Sequence, residues 1–225
     1  MADSVLMDND VVLKTCCYGF VDEVLGCLVG ETRTVHVLGA IQFVLSNAIT
    51  KKKHIVNKRI ASERLAEFLG VVKLLEPNED ELLLAAEFEA TAQAHDLELD
   101  AGESQLLAVL VRRSAALLLT GDKRAIRAIE PVVNASGHVQ QAEKRVACLE
   151  QIVMTLVSRH GVEMVHQRVC KEAAVDKSLS ICFSCASGNC NPQSVRDGLS
   201  SYINSIRRDA PRALVATDDL SSVIP

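Results

Sequence analysis

Short apolar runs alternate along this chain with longer stretches of helical periodicity, and that alternation narrows the fold more than any other feature. Residues 4–7, 34–38 and 115–119 are almost continuously apolar over four or five positions, the length of a buried strand. Between and after them, residues 11–17, 20–29, 40–49, 60–69, 79–94, 102–113 and 123–129 read as helices. Strands separated by helices need crossover connections, and crossovers make a parallel sheet covered on both faces. The expectation is an α/β protein, a three-layer domain on a parallel sheet.

Glycine and proline punctuate that pattern. Gly30 and Gly70 read as helix stops, and Pro77-Asn78 as a helix start. The helix from Lys123 is expected to break at Pro131, which has no N–H to give. Residues 145–149 fit a strand, yet Val146, Leu149, Ile152, Val153 and Leu156 fit one helix face, and both readings stand. Beyond Gly161 the character changes. Residues 182–185 and 188–192 look loop-like, then Val195, Leu199, Tyr202, Ile203 and Ile206 recur at helical spacing until Pro211. The chain divides on this reading into a domain over residues 1–160 and a mostly helical extension over 161–225.

Composition limits the function. The 225 residues are 48% hydrophobic but only 3% aromatic, so the core must be aliphatic. A net charge of -5 argues against a general nucleic-acid packaging protein, while local basic clusters at residues 51–53, 58–59, 112–113 and 207–208 remain. The first residues lack a charged leader with an apolar stretch, and no window is apolar enough to span a bilayer. With eight cysteines and no secretory signal, the reading is a cytoplasmic protein with reduced thiols and no membrane contact.

Three carboxylates stand at comparable places. Asp8 follows the first strand, Asp122 follows the run at 115–119, and Glu103 opens a helix. Ligands of open parallel sheets bind beyond the carboxyl ends of the strands, where Asp8 and Asp122 would project and Glu103 could reach. Clustered carboxylates repel one another; Mg2+ or Mn2+ removes that cost and leaves coordination positions for water and phosphate. Each acid also has a plainer role as a helix cap, with Asp100 and Glu103 forming a capping box.

The segment Val5-Leu6-Met7-Asp8-Asn9-Asp10-Val11-Val12-Leu13 resembles the first strand motif of PIN-domain nucleases. Leu99-Asp100-Ala101-Gly102-Glu103-Ser104 is similar to the helix carrying their third acid, in its Gly-Glu variant. Leu117-Leu118-Leu119-Thr120-Gly121-Asp122-Lys123 resembles the strand and turn that deliver the fourth. The resemblance covers residues 4 to about 130. It implies that Asp8, Glu103 and Asp122 carry the metal, Mg2+ or Mn2+, with Asp10 assisting through a hydrogen bond. It also implies a ribonuclease acting on single-stranded RNA, a chemistry common in toxin–antitoxin systems and RNA processing. A homodimer and a protein inhibitor are both compatible with that family. The chain departs where the family adds an acid after the second strand: Asn47 stands there, with Glu63 and Glu67 further on.

Two rivals follow from the same residues. Asp8-Asn9-Asp10 also resembles the nucleophile motif of haloacid dehalogenase-type phosphatases, but Ile126 stands where that family usually places another acid, and a separate basic residue is not evident. A catalytically weak or inactive PIN-like module that binds RNA or protein is the other. Cys182, Cys185 and Cys190, with Cys170 or His166, could supply a zinc site, but only one Cys-x2-Cys pair exists, and reduced thiols fit better.

Overall fold

Ser4–Met7 is buried at every position, as a strand covered on both faces must be. In a computed structural model that describes residues 3–29 and 33–222, this strand (β1) is the centre of a sheet. Thr34–Leu38 (β2) and Lys73–Leu75 (β3) lie to one side of it; Leu117–Thr120 (β4) and Val146–Cys148 (β5) lie to the other. The order is β3-β2-β1-β4-β5 and every pairing is parallel, with Val5 beside Val35 and Leu117. The chain is therefore α/β, a five-stranded parallel sheet flanked by helices.

The helices follow their expected segments closely. Asn9–Tyr18 (α1), Val21–Leu28 (α2), Ile41–Lys51 (α3), Lys58–Val71 (α4), Glu79–Ala94 (α5) and Ala101–Arg113 (α6) precede β4. The expected stop at Gly30 lies outside the described residues. Gly70 does not end its helix, because α4 runs on to Val71. A glycine in a helix costs about 1 kcal/mol, which the buried Ala61, Leu65 and Phe68 outweigh. β3 was missed: it is three residues long, and only Leu75 of the three is buried.

Lys123–Ala135 (α7) contains Pro131 rather than stopping there. Proline inside a helix costs roughly 3 kcal/mol. Ile126, Ile129, Val132 and Val133 are buried along one face, each contributing about 1.5–3 kcal/mol, so packing prevails. Residues 145–149 resolve into both readings, β5 running directly into the helix Leu149–His160 (α9) after a short turn of helix at Val139–Ala142 (α8). Val162–Lys171 (α10), Lys177–Cys182 (α11) and Pro192–Asp209 (α12) follow, and their buried Val165, Leu179, Leu199 and Ile203 belong to the same hydrophobic core as the sheet. Leu214 adds a parallel bridge to Val146 beyond β5. No helix among the described residues is long and apolar enough to cross a membrane.

Candidate functional site

Four strands end at one place. Asp8 follows β1, Gly39 follows β2, Glu76 follows β3 and Asp122 lies just past β4, and all four line one open cavity of about 870 Å³. The strand order reverses between β1 and β4, the crevice where open parallel sheets bind ligands. The N-terminus of α6 faces the same space through Asp100, Gly102 and Glu103. Residues 8, 103 and 122 thus share one cavity.

Asp8 is the most enclosed of the three, 8% exposed. It caps α1: Oδ1 accepts from the Asn9 N–H at 2.7 Å and Oδ2 from the Asp10 N–H at 3.3 Å. Thr120 ties it to β4, donating to Asp8 Oδ2 at 3.4 Å while accepting from the Asp122 N–H at 3.2 Å. Burial, then the neighbouring Asp10 carboxylate, push the Asp8 carboxyl up to about 6, against the pull of its two backbone hydrogen bonds.

Glu103 forms the capping box expected of it. Its Oε2 accepts from the Asp100 N–H at 3.0 Å, and Asp100 Oδ1 accepts from the Glu103 N–H at 2.8 Å. Burial raises its carboxyl to about 8; Asp100, Asp122 and Asp8 add to the rise. The side chain remains partly open to solvent. Asp122 caps α7 and is doubly held by Arg124, whose backbone N–H donates to Oδ1 at 2.8 Å and whose Nη2 donates to Oδ2 at 2.9 Å. Burial pushes the Asp122 carboxyl up, but the Arg124 hydrogen bonds more than offset it and hold it below the usual range.

Sequence reasoning did not assign Lys14, Lys123 and Arg124 to the site, nor the acids Glu76 and Asp100. Lys14, on the cavity wall, reaches Asp10 Oδ2 at 2.5 Å and Asp176 Oδ2 at 2.8 Å. Lys123 reaches Glu150 Oε1 at 2.6 Å and Ser178 Oγ at 2.7 Å, with its ammonium over the Tyr202 ring. Both lysines are therefore held by residues late in the chain, which no local pattern could reveal. Asp100 was legible only as a cap. Gly121 lets Asp10 approach closely: a Cβ there would lie 2.1 Å from Asp10 Oδ2, so the Asp10 carboxylate would have to move.

Asn47, Glu63 and Glu67 do not line the cavity. Asn47 is exposed on α3, where the neighbouring Ala48 faces the cavity instead, and Glu63 pairs with Arg59. The reading of eight reduced thiols is corrected: Cys170 and Cys185 form a disulfide between α10 and the turn after α11, their Cα atoms 5.1 Å apart. Spacing along the chain could not show that these two, 15 positions apart, meet in space. Cys16, Cys17, Cys27, Cys148 and Cys182 are buried thiols.

Among the described residues, no group of three or more His, Cys, Asp or Glu side chains is gathered tightly enough to hold a metal ion as the side chains stand. The hydrogen bonds give the reason. Asp122 is turned to Arg124, Glu103 to its own helix cap and Asp10 to Lys14. The donor chemistry itself, carboxylate oxygens around a partly solvated cavity, suits a hard divalent cation. Family models, curated proteins and solved structures gave no match to this chain. Fold and site define the class: an α/β protein with an acidic cavity at the carboxyl edge of a five-stranded parallel sheet.

Proposed function

We propose that this chain is a PIN-like metal-dependent nuclease that hydrolyses phosphodiester bonds in single-stranded RNA, with Asp8, Glu103 and Asp122 holding Mg2+ or Mn2+. One observation carries the reading: carboxylates from three remote segments line a single cavity where the strand order reverses. Carboxylates sharing one cavity repel, Glu103 feeling both Asp122 and Asp8, and a divalent cation would offset that repulsion. When bound, the cation supplies Lewis-acid polarisation of phosphate and activation of water.

The chain's own groups have separable duties. Asp8, fixed by two backbone N–H groups and Thr120, is the preorganised ligand. Glu103 and Asp122 would hold the cation with it once they exchange their present hydrogen bonds to Asp100 and Arg124. Arg124, released from Asp122, is a bidentate donor suited to phosphate oxygens. Lys14 holds Asp10 in place beside Gly121.

The test is cleavage of a fluorescently labelled unstructured RNA by purified protein. Cleavage that needs Mg2+ or Mn2+, stops with chelator and is lost in Asp8→Asn supports the enzyme. Cleavage that survives both changes overturns it.

A second reading, a non-catalytic RNA-binding module, is favoured by the grip of Arg124 on both oxygens of Asp122. Metal-independent RNA binding with no cleavage by the wild type or by Arg124→Ala selects that reading.

A further inference from the structure

The chain carries 29 acidic residues, yet none falls between residues 33 and 62. The same stretch holds Arg33, Lys51, Lys52, Lys53, Lys58 and Arg59. Lys51, Lys52 and Lys53 are exposed, and none makes an ion pair among the described residues. Their turn is anchored. Ile55 is buried, and the buried Glu172 accepts from the Val56 N–H at 2.9 Å and the Asn57 N–H at 2.8 Å. One carboxylate from late in the chain thereby fixes where the three ammonium groups are presented.

Aromatic exposure points to the same surface. Of the five phenylalanines, Phe20, Phe68, Phe88 and Phe183 are at most 2% exposed, whereas Phe43 is 78% exposed. On α3 the residues Phe43, Asn47 and Lys51 share one stripe, and the adjoining Val44, Ala48 and Lys52 line the acidic cavity. Phe43 and Lys51 are about 12 Å apart along the helix. One exposed aromatic alone means little. Here it sits on a helix without acids, between a cavity wall and unpaired lysines. An acidic peptide would match the lysines and leave the ring unused. A duplex offers phosphates but hides its bases. A single strand offers both phosphates and open base faces, and base–aromatic stacking is worth about 1–3 kcal/mol.

We propose that α3 and the basic turn after it form a binding track for single-stranded nucleic acid, Phe43 stacking on an unpaired base while Lys51, Lys52 and Lys53 pair with phosphates. The track rests on the nuclease reading only for its direction, toward the acidic cavity.

The experiment measures anisotropy of labelled oligouridylate, the matching DNA strand and an RNA duplex, in chelator so that nothing is cleaved. Phe43→Ala, which removes an exposed ring, is expected to weaken single-strand binding roughly tenfold and leave duplex binding unchanged. Replacing Lys51, Lys52 and Lys53 together by alanine is expected to flatten the slope of log affinity against log salt by about 2. RNA and DNA strands bound equally indicate reading of bases and phosphates alone; stronger RNA binding adds a 2′-hydroxyl contact, and both fit the track. Wild-type affinity in both variants overturns it, as do equal competition by polyglutamate and a Phe43-dependent dimer that binds no nucleic acid. Phe43-dependent binding without metal-dependent cleavage sinks the nuclease and keeps the track. Metal-dependent cleavage unaffected by either variant does the reverse.

Discussion

Asp8 carries two opposed duties: it caps α1 with both oxygens and it is buried beside other carboxylates. Its folded pKa, about 6, lies above the ordinary 3.8. Below pH 4 both folded and unfolded chains hold the proton and nothing is lost. Between about 4 and 6 the unfolded chain gives it up first, so metal-free stability falls as pH rises. Asp8→Asn removes that penalty. In metal-free thermal melts the variant should gain on the wild type as pH rises through this window, by on the order of 3 kcal/mol at neutral pH. A difference that does not change with pH contradicts it. Gly121→Ala should act oppositely, because its Cβ collides with Asp10 and dislodges the Lys14 pair. The expected cost is about 1–3 kcal/mol with at least a tenfold loss of cleavage, read by denaturant titration and by the RNA assay. At this scale the sequence exposed Asp8, Glu103 and Asp122 because each stands at a legible strand or helix end. Lys14 stayed hidden because its second partner, Asp176, is far along the chain.

Elements were legible where burial and periodicity agreed. β1, β2 and α5 match their expected bounds, since each has a clear apolar pattern or a capping box. Errors fell where packing overrode a local rule, at Gly70 and Pro131, and where β3, a mostly exposed edge strand, has almost no pattern. The reading of Pro131 is testable. If packing alone holds α7 through the proline, Pro131→Ala should raise stability, by up to about 3 kcal/mol in urea titration. Lower stability would show that the proline itself is needed there. Glu172 is the corresponding test for the α3–α4 turn. Glu172→Ala strands two backbone N–H groups and should cost roughly 2 kcal/mol, with faster hydrogen exchange at Val56 and Asn57. Unchanged exchange there would mean the turn is held by the buried Ile55 alone.

Across the whole molecule, the late helices serve the sheet edge. Asp176 and Ser178 at the start of α11 hold Lys14 and Lys123, and Glu172 holds the basic turn. The cavity is acidic at its floor, where Asp8, Glu103 and Asp122 face it, and basic along the α3 side, where Lys52 lines it. On the proposed reading a divalent cation competes with protons for these carboxylates, and that competition is the property most specific to the site. Calorimetric titration of the metal-free protein with Mn2+ between pH 5 and 8 measures it. The expected result is binding that strengthens as the Asp8 and Glu103 carboxyls lose their protons, and that is lost in Asp8→Asn and in Glu103→Gln. No heat of binding by the wild type, or equal binding by both variants, would contradict a metal held by these carboxylates.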